Sequence, residues 1–313
     1  MSRVRTVLGD ADPSTLGAVD YHEHLFQVSP LLPGDELDDE ARSGEEAAAL
    51  HAAGIATMVE ATPTGLGRRP EAVARISAAT GLAVVQVTGA HHGGHYAADD
   101  PLLSWTVAEL ADRFGAEVTD GFRDRAGRPL VGPTGEPIRA GVVKAGIRYW
   151  AIGPFERRVL AAAARTHRRT GCPIMVHLDF GSAAHEVLDL LAADGVPASA
   201  VALAHIDRNL DPGLHVSLIE RGAQLGYDGM ARHREAPDSA IIDCLWKVAE
   251  QTEAVGILLG GDVARATRYR SYGGLPGLDY LPRRFLPRLR SELSPASYSA
   301  IVGGNAARWL TFA

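Results

Sequence analysis

The stretch VDYHEHLF, residues 19–26, places two histidines one residue apart. Side chains two positions apart on a β-strand point to the same face, so His22 and His24 would reach into one space. Imidazole is the commonest metal ligand in proteins, and this spacing suits a pair of ligands. Twelve histidines in 313 residues also allow a chance pair. The pair therefore predicts a metal site only if further ligands join it.

Four further polar residues follow apolar runs elsewhere in the chain. They are Lys144 in VVKAG, His177 in PIMVHLD, His205 in AVALAHID and Asp262 in VGILLGGD. A lone histidine in an apolar strand is usually a core residue, and Asp262 could be a helix N-cap. Each of these four residues lies near the end of its apolar run. One shared site explains this common position better than four separate chance placements.

The elements that would position these residues alternate regularly. Short apolar runs, rich in β-branched residues, are each followed by an alanine-rich stretch with helical spacing, which predicts βα units and parallel strands. A doubly wound open sheet is the rival, but the glycine fingerprint after its first strand is missing. Eight strands close a (β/α)8 TIM barrel, so we predict an α/β fold with one barrel domain over residues 1–313. The eight runs are residues 16–24, 55–62, 82–90, 140–147, 173–179, 200–207, 223–229 and 255–262.

The C-terminal ends of barrel strands meet at one mouth, where active sites are built. Four imidazoles and a carboxylate exceed the needs of one tetrahedral zinc, but they suit two divalent metals if something bridges the pair. Burial makes a lysine easier to deprotonate. The neutral amine of Lys144 could then react with carbon dioxide to give a carbamate, an anionic bridging ligand.

Composition excludes several classes of function. The formal charge of −7 and the lack of a basic block beyond RRFLPRLR, residues 283–290, argue against nucleic-acid binding. No apolar stretch suits a signal peptide or a membrane span. Cys172 and Cys244 form no disulfide framework. We expect a cytoplasmic protein that acts on a small molecule, with no nucleic-acid or membrane partner.

Five motifs, HEH at 22–24, VKAGI at 143–147, VHLD, AHIDRN and GGDVAR, occur in one order along the chain. In that order they resemble the phosphotriesterase family of the amidohydrolase superfamily. The resemblance implies a homodimeric, binuclear hydrolase whose bridging hydroxide attacks the substrate, with Asp262 taking its proton and carboxylated Lys144 bridging the metals. His22, His24 and Asp262 would hold the more buried metal, and His177 and His205 the more exposed one. The ligand types favour zinc, with manganese or cobalt as alternatives.

The loops after the seventh and eighth strands, residues 226–239 and 260–281, are rich in arginine, which suits an anionic, oxygen-rich substrate. They resemble a branch of lactonases that act on phosphorylated sugar lactones. The resemblance places Arg265 and Arg234 on the phosphate with Tyr272 nearby, and we expect Arg232 and Arg268 at the same mouth. In that branch a lysine stands where Arg234 does and a tyrosine where Arg268 does, so a carboxylate or an unphosphorylated lactone stays open.

The sequence thus predicts a lactonase, with a phosphotriesterase or cyclic-amide hydrolase as the alternative and a non-catalytic binding barrel as a remote one. Asp207, which follows His205, is a candidate for orienting an imidazole of the site. The segment GAHHGGHY, residues 89–96, carries His91, His92 and His95. A third metal there is conceivable, but we favour a loop that lines the substrate or supports the fold.

Overall fold

A parallel eight-stranded sheet forms the centre of the protein, whose computed structural model describes residues 2–312. A short antiparallel hairpin, β1 (Val4–Thr6) and β2 (Gly9–Ala11), precedes it. The sheet strands pair in chain order. They are β3 (Val19–Glu23), β4 (Thr57–Glu60), β5 (Ala83–Gly89), β6 (Val142–Ile147), β7 (Ile174–Leu178), β8 (Val201–Ala204), β9 (Gln224–Tyr227) and β10 (Ile257–Leu259).

Helices follow the strands and surround the sheet, as the alternating pattern predicts. Those between the strands are α1 (Glu40–Ala52), α2 (Pro70–Thr80), α3 (Val107–Thr119), α4 (Pro154–Thr170), α5 (Ala184–Ala193), α6 (Pro212–Glu220) and α7 (Asp238–Thr252). The chain ends with α8 (Leu286–Glu292), α9 (Pro295–Ser299) and α10 (Asn305–Leu310). Among residues 2–312, no helix combines the length and the apolar character needed to cross a membrane.

Local sequence signals explain where these helices begin and end. A capping box starts α3, because the Thr106 side chain accepts from the Glu109 amide and Glu109 bonds back to Thr106. Proline in the first turn starts α2 and α4, where its missing N–H costs nothing. Each of these two helices stops at a glycine with left-handed backbone, Gly81 (φ 77°) and Gly171 (φ 73°).

The two edge strands, β3 and β10, meet and close the barrel. The amide of Asp262 donates to the His22 carbonyl at 2.9 Å. A Cβ built on Gly260 would lie 2.9 Å from the His22 nitrogen, so glycine permits the approach. The predicted (β/α)8 barrel is confirmed, with one strand in every predicted run. The single domain over 1–313 stays a prediction, and residues 1 and 313 lie outside the described range.

Alternation along the strands directs several of the predicted ligands inward. Val142 and Met175 belong to the apolar cluster inside the barrel, whereas their chain neighbours pack against the helices. Side chains two apart share a face, so Lys144 and His177 also point inward. At the opposite end of the barrel, Trp309 of α10 donates to the Ala200 carbonyl at 3.3 Å. The mouth is therefore the C-terminal end of the strands.

Gly89, the last residue of β5, allows β6 to approach closely at Lys144. A Cβ on Gly89 would lie 1.9 Å from the Lys144 carbonyl oxygen, and its φ of 104° disfavours any other residue. We expect Gly89→Ala to destabilise the protein by about 2–4 kcal/mol, measured as the free energy of unfolding in urea. Gly115→Ala in α3, where a Cβ meets nothing within 4 Å, is the matched control. It should change stability by at most about 1 kcal/mol and in the stabilising direction. Equal effects at both sites would contradict the close-approach argument.

Candidate active site

Five of the six predicted metal ligands line the mouth in two groups, and Lys144 lies beside the first. The first group contains His22, His24 and Asp262. Asp262 Oδ1 lies 3.8 Å from His22 Nε2 and 3.7 Å from His24 Nε2. Lys144 Nζ is 3.1 Å from His22 Nε2. The structure therefore brings together the residues that the motifs indicated.

His177 and His205 form the second group, with His177 Nδ1 2.7 Å from His205 Nε2. The far nitrogen of each ring faces a carboxylate: His177 Nε2 lies 2.7 Å from Asp179, and His205 Nδ1 lies 2.6 Å from Asp228. A neutral imidazole carries one proton, which the carboxylate holds on that far nitrogen. At 2.7 Å the two facing nitrogens share a proton, and losing that proton would leave both lone pairs available to one metal ion.

Asp228, which the sequence analysis missed, supports both groups. Its two oxygens are divided between two rings: Oδ2 lies 3.0 Å from His22 Nδ1, while Oδ1 faces His205. The Tyr21 hydroxyl also donates to Oδ2. Although burial opposes it, His205 and His22 hold the pKa of Asp228 well below its usual range. Its position directly after β9, like those of His24 after β3 and His205 after β8, was the signal that could have found it.

The expectation for Asp207 is wrong. Its Oδ2 accepts from the Gly229 amide at 2.7 Å, and it makes no hydrogen bond to the His205 ring. Asp207 supports the turn after β9, and Asp228 takes the orienting role.

His24 differs from His22, His177 and His205, whose rings face carboxylates, because its partner is neutral: its Nδ1 lies 2.7 Å from the Thr62 hydroxyl.

Burial sets the protonation of the first group. It lowers the pKa of the Lys144 ammonium to about 8, against the opposing field of Asp262. It also lowers the pKa of His22 to about 4, helped by Lys144. Asp262 behaves oppositely: although burial opposes it, the Arg232 guanidinium holds its pKa well below the usual range. A neutral imidazole and an ionised carboxylate are the forms that bind metals.

The backbone is unusual at two of the predicted ligands. His205 has φ 64° and Asp262 has φ 41°, both in the left-handed region that residues with a side chain seldom adopt. Each lies just past its strand, where the change of backbone direction turns the side chain toward the mouth. Such conformations cost roughly 1–3 kcal/mol each and cluster at functional sites.

A cavity of about 470 Å³ opens above the two groups. All six predicted ligands line it, together with Arg148, Arg208, Arg232, Arg265, His91, His92 and His95. Apolar residues, including Leu31, Leu32 and Phe180, form part of the rim. The wall is thus rich in hydrogen-bond donors, which suits an oxygen-rich substrate.

The structure separates the five predicted substrate residues. Arg232 and Arg265 line the cavity. Arg234 is exposed and lies outside the lining, and Arg268 turns away to the carbonyls of Asp262 and Val263.

Tyr272 also lies outside the lining. Its hydroxyl is held by the backbone of Asp39, at 2.9 Å from the amide and 3.0 Å from the carbonyl. The predicted substrate contacts of Arg234, Arg268 and Tyr272 therefore need correction. Arg268 and Tyr272 bond to other protein groups, and Arg234 is exposed to solvent outside the cavity.

Comparison with known proteins gives the family. The sequence model of the Phosphotriesterase family matches residues 2–310. The chain belongs to this family. The predicted resemblance is thereby confirmed, and the protein is a hydrolytic enzyme of a metal-dependent family. The histidine groups at the mouth are its candidate metal sites.

Relatives within the phosphotriesterase family cover nearly the whole chain. A phospho-furanose lactonase of Mycoplasmopsis agalactiae is 32% identical over 304 residues, covering 92% of this chain and 85% of that protein. The lactonase Lmo2620 of Listeria monocytogenes is 30% identical with a TM-score of 0.87, covering 99% of both chains. The phosphotriesterase homology protein of Escherichia coli, solved with phosphate in its active site, is 27% identical with a TM-score of 0.85, covering 96% of this chain and all of that one.

Removing the charge of Asp228 tests its role in orienting two rings. Asp228→Asn should lower affinity for divalent metal by about 10- to 100-fold, because one amide cannot accept from both His22 and His205. Equilibrium dialysis against a chelator, followed by elemental analysis, measures the change. Asp207→Asn is the control, since that carboxylate touches neither ring. A similar loss in both variants would assign the effect to the buried charge alone.

Proposed function

We propose that the protein is a metal-dependent lactonase that opens a phosphorylated or otherwise anionic sugar lactone. The observation that carries this proposal is the convergence of the histidines, Lys144 and Asp262 on the floor of a cavity whose walls are rich in arginine and histidine. Two lactonases among the relatives support the reaction class, and the phosphate in the relative from Escherichia coli supports an anionic substrate.

The donor set fits two divalent cations. His22, His24 and Asp262 would hold one, and His177 and His205 the other, with zinc favoured by ligand type and manganese or cobalt as alternatives. Lys144 would join the two as a carbamate, because its buried amine loses its proton readily. When bound, the ions supply an acidified water and polarise the lactone carbonyl.

The chain's own groups supply the proton chemistry and the positioning. Asp262 Oδ1 faces the first group, while the Arg232 guanidinium, 2.5 Å from Oδ2, keeps the carboxylate ionised. In this form the carboxylate is proposed to accept a proton at the mouth. Asp262 would return that proton to the alkoxide released when the ring opens. Arg232, held on Asp262, faces the cavity and is proposed with Arg265 to contact the substrate.

A phosphotriesterase or cyclic-amide hydrolase would use the same floor of the cavity. Leu31, Leu32 and Phe180 at the rim offer such a neutral substrate some apolar contact. The arginine-rich wall favours the anionic lactone, because a neutral ester gains little from desolvating guanidinium groups. Zinc as the native metal, a homodimer and a cytoplasmic location stay predictions.

Replacing Lys144 tests its proposed role as a bridge between two metal ions, which the lactonase and the alternative hydrolase would both need. Lys144→Ala should cut metal content below two equivalents and lower kcat/KM for lactone hydrolysis at least about 100-fold, because the bridge and the site are lost together. Elemental analysis and acid release from a panel of sugar lactones measure both quantities. Lys247→Ala, at an exposed lysine on α7 paired with Asp243 at 2.8 Å, is the control and should change neither.

Two outcomes would contradict the proposal. If Lys144→Ala keeps both metals and full turnover, the bridging role is wrong. If the metal-loaded protein releases acid from no lactone but hydrolyses phosphotriesters or cyclic amides at equal metal loading, the alternative replaces the lactonase.

A further inference from the structure

One arginine on the cavity wall has no acidic partner. No described carboxylate lies within 4.0 Å of the Arg148 guanidinium. Arg148 follows β6, whose Lys144 lies on the floor, and it is exposed. The other three arginines of the lining are already neutralised by carboxylates. Those pairs are Arg208 with Glu235, Arg232 with Asp262 at 2.5 Å and Arg265 with Asp35 at 3.5 Å.

The turn after β5 lies beside Arg148 and is built by its own histidines. The His92 amide donates to His91 Nδ1 at 2.9 Å, and the Gly94 amide donates to His92 Nδ1 at 3.2 Å. A methyl group built on Gly94 would lie 3.8 Å from Arg148 Cζ, so the guanidinium lies over this turn. His91, His92 and Arg148 thus face one part of the cavity.

These hydrogen bonds determine where the histidine protons are. A nitrogen that accepts from an amide has no proton of its own, so the single proton of each neutral ring is on Nε2. His91 and His92 therefore carry Nε2–H donors. Within residues 2–312 the hydrogen bonds of both rings are made by Nδ1, which leaves the two Nε2–H groups for the cavity that these residues line. His95 packs against both, with ring centroids 3.8 Å from His91 and 4.6 Å from His92.

This pattern distinguishes an anion site from a third metal site. The three rings are close enough to suggest a metal, since they offer ligand atoms within 4.8 Å of one another. A metal needs the Nε2 lone pair, however, and His91 and His92 would have to give up the hydrogen bonds that form their turn. The unpaired Arg148 beside them also repels a cation and attracts an anion.

We propose that His91, His92 and Arg148 form a cradle for the oxyanion substituent, phosphate or carboxylate, of the substrate. This inference rests on the proposed function and moves the anion contacts from the arginines after β9 and β10 to the opposite wall. The cradle adjoins the floor, because the His91 and His177 ring centroids are 4.3 Å apart. Asp179 lies on the same wall, but His177 Nε2 engages its Oδ1 at 2.7 Å.

Variants that keep the turn and remove the donors test the cradle. Arg148→Gln removes an exposed charge, and His92→Asn keeps an acceptor near the Nδ1 position while removing Nε2–H. Each should lower the kcat/KM ratio of a phosphorylated lactone over its unphosphorylated parent at least about tenfold, as expected for losing a hydrogen bond to a charged group. Arg165→Gln, an exposed arginine on α4, is the control and should leave the ratio unchanged. An unchanged ratio in both cradle variants would overturn the proposal.

A binding measurement separates this proposal from the lactonase proposal. Calorimetric titration of the metal-loaded protein with inorganic phosphate, and in parallel with acetate, should show weaker binding of at least one anion in Arg148→Gln and His92→Asn. If the wild-type protein opens no lactone but the variants still lose anion affinity, the proposed function fails and the cradle stands. Unchanged affinity for both anions overturns the cradle. A third metal equivalent that disappears in His92→Asn would assign the histidines to a cation and also overturn it.

Discussion

The arrangement of the mouth depends on one buried carboxylate shared by two rings. Asp228 lies past β9, His22 on β3 and His205 past β8, so three segments far apart in sequence meet at its two oxygens. A buried charge is costly unless it is fully hydrogen-bonded, and here the two histidines and Tyr21 provide the partners. The Nδ1 atoms of His22 and His205 both face Asp228, so the Nε2 atom of each ring faces the cavity. One ring in each ligand group therefore takes its orientation from the same carboxylate.

Hydrogen bonding gives the histidines of this cavity two different chemical characters. His22 and His205 meet a carboxylate through one nitrogen, which leaves a lone pair on the other and suits a cation. His91 and His92 meet backbone amides instead, which leaves a proton on the free nitrogen and suits an anion. Opposite binding preferences thus arise within one pocket from the same residue type.

The sequence predicted the barrel and its ligands well because both follow local rules. Each ligand comes directly after an apolar run, and the ends of parallel strands must converge in a barrel whatever the loops do. Asp228 was missed because GYDGM resembles an ordinary turn, and only the folded chain shows that its acid reaches two rings. The substrate arginines were the weakest part of the prediction. Arg265 pairs with Asp35, which is 230 positions away in the chain, and no local pattern indicates such a partner.

The hydrogen bond between Asp262 and His22 also determines when the barrel can close as the chain is synthesised on the ribosome. Barrel closure and completion of the site involve the same two residues, one near each end of the chain. A nascent polypeptide that has exposed only its first seven sheet strands to solvent has neither a closed barrel nor a complete ligand set. The closed barrel and the complete set of predicted ligands can therefore first form together once the last strand has left the ribosome, because Asp262 is the one predicted ligand that follows it.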